Sequence, residues 1–495
     1  MKNLGSIAHT VFFGIFPIVF LFNHNKEQLI ISDVFWPLIA VSAFILIVAT
    51  AAWLVMKDRE KTALTASLFI VLFFSYGHIF ENIWRLGVRH RHFFTLWLMI
   101  FFVLTYLIKK SKKDLSSINK VLNLTALILV AIPSISVVLY GIKTWQLPPS
   151  SEITPAGVTT ASRPQNQPDI YYLILDEYAR EDTLRKFGYD NSGFLKYLED
   201  KGFAIINRSR SNYPKTIYSI SSLLNMKYHD TDVDAQAEAR RIFQNHPAGQ
   251  FLKSQGYKYI HFGSWWQRTF KSKIADENIN ISYLPEFSMI FYRTTMLHPI
   301  SMALKLLDDR RLQWKRINYQ FEKMAELPQR PEPTFAFAHF IIPHLPYVFD
   351  KNGEFLTEEM IAQRNEVENY LNQLTYLNEK IKKLVEEILA KSEQSPIIVL
   401  QSDHGTKFLW ENLKADYEPG DIAIKEVFGN FMAYYLPGDG EKILYDSMTP
   451  VNSFRSLFNR YFGTNYEILP DKSFFILKDE TSNTYQTIDV TNQAK

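Results

Sequence analysis

The sequence predicts a two-part α/β protein: a transmembrane N-terminal domain of five helices, then an α/β domain around a largely parallel central sheet. Three observations predict it. The first third of the 495 residues carries five apolar runs separated by short charged loops. A stretch rich in Pro, Ser and Thr follows. Beyond it, short apolar runs of strand length alternate with helical patterns, several of them apolar throughout, as expected of strands buried on both faces. The charge divides at the same place. Residues 1–143 hold 14 Lys/Arg and 6 Asp/Glu, whereas 144–495 hold 40 and 45. A basic apolar part and a mildly acidic soluble part argue for a membrane partner and against nucleic acid. The chain has no Cys, which excludes disulfides, Cys-zinc sites, iron–sulfur clusters and Cys nucleophiles.

The apolar runs lie at about 4–22, 34–56, 62–80, 93–108 and 121–142, within a transmembrane domain over 1–143. A crossing needs about 20 apolar residues, within a range of about 17–25. Four runs meet this; the run over 93–108 spans only with help from its flanks. The first run is followed by four more and ends at no small-residue cleavage site, so it is not read as a signal peptide. Nine loop Lys/Arg lie on one side and five on the other, which puts the N-terminus in the cytoplasm and, after five crossings, the C-terminal part outside. Arg85, Arg89 and Arg91, clustered on the outer side, run against this bias. No charge sits within a run, so the bundle reads as an anchor or lipid-access scaffold rather than a pump.

Residues 144–168 read as a linker. DIYYLILD, from Asp169, is a strand. FLKYLEDKGFAII reads as helix, Gly stop and strand, and QFLKSQGYKYIHF repeats that pattern. TFAFAHF, PIIVLQ and FMAYYLP are further strands, and 364–391 is a long amphipathic helix. The domain is taken as 169–480, with a tail at 481–495.

In such folds chemistry gathers at the carboxyl ends of the strands. Asp176-Glu177 follow DIYYLIL, His344 follows TFAFAHF, and Asp403-His404-Gly405 follow PIIVLQS. Carboxylates and imidazoles are ligands that zinc and manganese accept. A helix starting near Thr216 would put a hydroxyl at free N–H groups and the positive end of the helix dipole, a cradle for phosphate. Each motif alone has a plain reading as a solvated turn, a chance tripeptide or a helix cap. His339 reads as a strand-buried histidine.

The order of these motifs resembles the alkaline phosphatase superfamily, in its sulfatase-like branch, over about 168–465. PDIYYLILDEYAR is similar to the opening strand and first metal carboxylate, NYPKTIYSISSLLNM to the nucleophile helix, PHLPY to the His-x-Pro motif, and IIVLQSDHG to the segment supplying two metal ligands. The membrane anchor is similar to that of lipoteichoic acid synthases and lipid A phosphoethanolamine transferases. HFGSWWQR is similar to the His…Trp-x-Arg substrate segment of the former, and DEYAR to the Glu-Thr-Ala-Arg segment of the latter. The resemblance implies an alkaline-phosphatase-like fold with one divalent metal, zinc or manganese. It would be held by Glu177, Thr216, Asp403 and His404, with Asp176 the alternative to Glu177. It implies Thr216 as nucleophile, His344 as a catalytic group, and His261, Trp266 and Arg268 lining the substrate pocket.

Two departures narrow the chemistry. A sulfatase oxidises Cys or Ser in a Cys/Ser-x-Pro-x-Arg setting to an aldehyde; Thr216-Ile-Tyr-Ser-Ile offers neither the residue nor the setting. No histidine follows His404, whereas two-metal relatives draw a ligand from that region, which favours one tightly held metal. The expected function is transfer of a phosphoglycerol- or phosphoethanolamine-type group from a phospholipid donor to a glycan, lipid or polymer acceptor, through a phosphothreonine. An anchored phosphodiesterase or phosphatase using water is the alternative, and a non-catalytic sensor or scaffold a third reading. The resemblance implies a bacterial-type cytoplasmic membrane, with the catalytic domain on the extracytoplasmic side.

Overall fold

The computed structural model describes residues 8–27, 29–83, 87–145, 167–229, 235–281, 284–304, 306, 308–411, 420–479 and 484–495. Most of the expected linker, and Arg85, lie outside the described residues. The chain divides into two compact units. One comprises Met1–Leu147 with Leu284–Asp308, and the other Pro148–Tyr283 with Asp309–Lys495.

The first unit holds α1 (Ala8–His24), α2 (Phe35–Met56), α3 (Arg59–Ile83), α4 (His90–Lys110) and α5 (Ser116–Trp145). Four of these helical stretches, 31–56, 59–83, 90–110 and 116–142, are long and apolar enough to cross a membrane by length and composition. The expected five crossings are thereby corrected to four. The 17 residues of α1, at about 1.5 Å each, fall short of a hydrocarbon core of about 30 Å. The run at 93–108 gains its length from His90, Arg91 and His92 ahead of it and two lysines behind. Ile18 and Phe22 of α1 pack with Val41 and Ile45 of α2 and with Ile70 and Phe73 of α3. Near the start of α1 a polar knot joins three helices. The His9 ring meets Ser67 Oγ at 2.6 Å and Asn119 Oδ1 at 2.8 Å, and its backbone N–H donates to Asn123 Oδ1. The segment 284–308, expected within the soluble domain, joins this unit as α7 (Glu286–Arg293) and α8 (Leu297–Ala303).

The second unit is built on a seven-stranded sheet of β1 (Ile170–Leu175), β2 (Ala204–Ile205), β3 (Lys258–Phe262), β4 (Glu277–Ile279), β5 (Thr334–Phe340), β6 (Ile397–Gln401) and β7 (Met432–Tyr435). Their order is β2-β7-β6-β1-β5-β3-β4. Only β7 runs against the rest. β1 is central, between β5 and β6, and every one of its residues is buried. Helices cover both faces. Leu374, Leu377 and Ile381 of α10 (Glu366–Lys391) pack under Tyr171 and Leu173. On the opposite face, Ile220 and Leu224 of α6 (Thr216–Asn225) and Phe454 and Phe458 of α11 (Ser453–Phe462) pack against Tyr172 and Ile174. Between α8 and α10 lies α9 (Asp309–Met324), whose Ile317 and Phe321 join the first face. The Gly stops anticipated before β2 and β3 are real: Gly202 and Gly256 have φ of 93° and 96°, where side chains with a Cβ are strained. Residues 481–495, expected as a tail, contain β9 (Thr484–Asp489), antiparallel to β8 (Phe474–Asp479). Its Thr, Tyr and Ile residues suit a strand.

Candidate metal centre

The central strand delivers the first carboxylates. Asp176 N–H extends the ladder by donating to Phe340 O at 3.0 Å. The chain then turns sharply, with Glu177 at φ 65°, a left-handed conformation that a non-glycine residue holds only where its surroundings fix it. Tyr370 of α10 does so: its hydroxyl donates to Glu177 O at 2.9 Å and accepts from Ala179 N–H at 3.1 Å. The neighbouring strand β6 delivers Asp403 and His404, both fully buried. Glu177 N–H donates to Asp403 Oδ1 at 3.0 Å, joining the two strand ends. Gly405 follows because a Cβ there would stand 2.1 Å from Glu426 O and 2.6 Å from Gly429 O.

One ligand atom each from Asp176, Asp403 and His404 lie within 4.8 Å of one another. His404 Nδ1 is 2.7 Å from Gly405 O. A donor bond to that carbonyl leaves Nε2 with its lone pair facing the cluster. Asp176 Oδ1 and Asp403 Oδ2 are buried with no hydrogen-bond partner, although Asp403 Oδ2 lies 3.2 Å from His404 Nε2. Buried carboxylate oxygens are costly unless hydrogen-bonded, paired or bound to metal. Two orphaned oxygens beside an imidazole lone pair are a donor set that fits a divalent cation.

Thr216 opens α6, and its Oγ1 stands 3.2 Å from His404 Nε2. Ser219, one turn on, donates to Asp403 O at 2.6 Å and pins the helix start to the end of β6. Of the expected quartet, Asp403, His404 and Thr216 come together; the carboxylate within 4.8 Å of Asp403 and His404 is Asp176, and Glu177 lies beside the group, its Oε2 4.0 Å from His344 Nε2. The left-handed turn sends consecutive side chains in different directions.

The electrostatics follow from burial among like charges. Burial, with Asp176 and Asp403 adding to it, pushes Glu177 up to about 7. For Asp176 burial opposes ionisation, but His344, His339 and His404 outweigh it and hold the carboxyl below its usual range. For His344 burial opposes the charge, and Asp176 and Glu177 overcome it and raise the imidazole above its ordinary value. Burial lowers His404, which favours the neutral ring a metal needs. His344 is partly exposed, and its loop is held by Gln373 Nε2, which donates to Pro343 O and His344 O at 3.0 Å each.

Of the expected pocket residues, His261 lies in the core. It is a core histidine of β3, 3 % exposed, with Nε2 on Thr269 O at 2.9 Å and Nδ1 near Tyr259 OH. Strand alternation turned its ring into the packing against Phe337. Arg268 is buried. Trp266 is partly buried and sets its edge against His339, with centroids 5.8 Å apart.

The sequence marks His339 only as a strand-buried histidine, and does not single out Lys407. His339 Nε2 lies 3.2 Å from Asp176 Oδ2, while Nδ1 meets Thr269 Oγ1 at 2.9 Å. Its signal was a lone imidazole near the carboxyl end of a strand adjacent to β1. Lys407 Nζ lies 3.3 Å from His404 Nε2; its signal was a cation three residues past the Asp-His-Gly segment.

A family model described as Sulfatase matches residues 168–454, from the strand before Asp176 into α11. This chain belongs to the sulfatase family. It is therefore an enzyme of that family, with threonine where α6 presents its first side chain to the carboxylates. No curated protein matches it. Among solved structures, the C-terminal periplasmic domain of EcEptC from Escherichia coli aligns at 13 % identity and TM-score 0.44, covering 66 % of this chain and 93 % of that one. The C-terminal periplasmic domain of phosphoethanolamine transferase EptC from Campylobacter jejuni aligns at 13 % and 0.41, covering 62 % and 92 %. The lipoteichoic acid synthase LtaP from Listeria monocytogenes aligns at 10 % and 0.41, covering 65 % and 85 %.

Proposed function

We propose that this sulfatase-family enzyme is a membrane-anchored, metal-dependent transferase. It moves a phospho-alcohol group of the phosphoglycerol or phosphoethanolamine type from a phospholipid to a hydroxyl of an envelope glycan, lipid or polymer. The observation that carries this reading is Thr216 Oγ1 at the start of a helix, 3.2 Å from His404 Nε2 and beside two orphaned carboxylate oxygens. Asp176, Asp403, His404 and Thr216 would hold a divalent cation, zinc or manganese, with Glu177 adjoining. When bound, that cation supplies charge neutralisation and a lowered hydroxyl pKa.

The remaining steps belong to the chain. The helix N-terminus and Lys407 bind the anionic phosphoryl oxygens. Thr216 Oγ1 attacks phosphorus; the Oγ–P bond forms, the bond to the lipid alcohol breaks, and the hydroxyl proton is lost to solvent. His344, whose imidazole is raised above its ordinary value by Asp176 and Glu177, gives its proton to the departing alkoxide. In the second half-reaction neutral His344 takes the proton of the acceptor hydroxyl as that oxygen attacks the phosphothreonine in line; the acceptor O–P bond forms, the P–Oγ bond breaks, and Thr216 Oγ1 regains a proton from solvent.

The test is intact-mass analysis of the full chain, purified with zinc and incubated with phosphatidylglycerol or phosphatidylethanolamine vesicles. A phosphoglycerol or phosphoethanolamine adduct on Thr216 that disappears when an acceptor glycan is added supports transfer. An adduct that decays at the same rate in water alone makes the protein a phosphodiesterase. No adduct and no released diacylglycerol would end the proposal.

A further inference from the structure

The segment 284–308 is built into the helical unit by its backbone. Gly77 N–H of α3 donates to Thr294 O at 2.9 Å, and Met296 N–H donates to Phe73 O at 3.1 Å. The approach requires glycine: a Cβ at Gly77 would lie 2.6 Å from Arg293 O and 2.7 Å from Thr294 Cα. Phe287 meets the ring of Phe22 edge-on, and Phe291 lies on Phe74 with centroids 5.4 Å apart. Beyond it the segment exposes apolar side chains: Leu297, Leu304 and Leu306 are 49 %, 62 % and 73 % exposed. An exposed apolar helix attached to membrane-length helices belongs at a lipid interface.

Between this segment and the bundle lies a cavity of about 340 Å³, within the range of small-molecule pockets. Its walls include Phe16 and Phe20 of α1, Phe74 of α3 and Phe291 of α7. Its polar lining includes Ser75 and His78, and His78 lies toward the end of α3 that leads to Ile83. The pocket therefore has the amphipathic order of a lipid, apolar along its length and polar toward one helix end. A bundle of this length exposes such a pocket to acyl chains, because no other apolar solute of comparable concentration surrounds it.

We propose that this cavity seats one acyl chain of a phospholipid, with the head group at the His78 end and segment 284–308 as its outer wall. That the bound lipid is the donor rests on the function proposed above; the lipid site itself does not.

The test uses the full-length Thr216→Ala chain, which cannot turn the lipid over, in phosphatidylcholine vesicles. These contain phosphatidylglycerol, or in a second arm phosphatidylethanolamine, carrying a diazirine at mid-chain. Photolysis is expected to place adducts on 16–21, 71–78 and 291–294 several-fold above the lipid-facing positions Leu46, Phe102 and Leu139. Ser75→Trp, which fills the cavity, should remove that excess, while Ser75→Ala retains it; thermal unfolding checks that both are folded. Adducts spread evenly over the bundle, or labelling unchanged by Ser75→Trp in a folded chain, would overturn the proposal. Labelled 71–78 in a protein whose Thr216 form transfers nothing supports the lipid site and removes the function. Transfer without selective labelling does the reverse.

Discussion

Thr216 Oγ1 stands 3.2 Å from Nε2 of His404 across 188 positions of sequence. The contact exists because α6 starts where β6 ends, with Ser219 bonded to Asp403 O. Thr216→Ala is expected to abolish turnover while leaving part of the metal content, since Asp176, Asp403 and His404 remain. Thr216→Ser should keep measurable activity because the nucleophilic oxygen is retained. Equal turnover in wild type and Thr216→Ala, measured as diacylglycerol release, would show that the nucleophile lies elsewhere.

The two adjacent carboxylates should separate in a metal assay. Asp176 supplies an atom to the group within 4.8 Å, whereas Glu177 Oε2 faces His344. Asp176→Asn should therefore lower zinc occupancy more than Glu177→Gln, by about tenfold or more in affinity if a ligand is lost. Glu177→Gln should act chiefly through His344, shifting the pH profile of turnover. Metal analysis after dialysis against graded chelator reads the first difference. The opposite ranking would restore Glu177 as the ligand.

The strands that carry the site were legible because each is a continuous apolar run ended by chemistry-bearing residues. IYYLIL, TFAFAHF and IIVLQ sit side by side in the sheet, so Asp176, His344 and Asp403 had to approach one edge. The choice between Asp176 and Glu177 was not legible, since it turns on a left-handed φ held by Tyr370 from nearly two hundred residues away. His261 misled for a related reason. Its segment carries the right letters, but the strand phase buries the ring against Phe337. The placement of 284–308 with the membrane helices was invisible because its bonds to Phe73 and Gly77 are made by backbone, which side-chain patterns do not encode.

Two core histidines make acid stability predictable. Burial, with mutual repulsion from His261, lowers His246 to about 3, and burial lowers His261 to about 4. Unfolding frees both to bind protons at their ordinary value near 6.5, so the unfolded state holds more protons below that pH. Their contribution is complete above about pH 6.5 and is lost as pH falls toward the folded values, at about 1.4 kcal/mol per unit for each ring. His246→Asn keeps an acceptor for Gly249 N–H and removes one proton from this linkage. Its denaturant midpoint should be lower at pH 7 and fall less steeply between pH 6 and 4 than that of wild type. Parallel slopes would mean that His246 does not stay neutral in the fold.

The last prediction concerns topology, where the count of crossings decides the parity. Four stretches are long enough to cross among the described residues, and α1 is short by about a turn. Four crossings leave both ends of the chain on one side. The loops after α2 and α4, with the helix ends they join, carry Lys57, Arg59, Lys61, Lys109, Lys110, Lys112, Lys113 and Lys120, eight of the 14 Lys/Arg of residues 1–143 against six on the other side. That excess places those two loops in the cytoplasm and the sheet domain outside. Donor lipid and envelope acceptor would both be within its reach there. A phosphatase reporter fused after Lys495, active only outside the cytoplasm, should therefore be active. A silent reporter on the intact chain, together with protection of residues 169–495 from protease in spheroplasts, would place the enzyme in the cytoplasm and remove its envelope role.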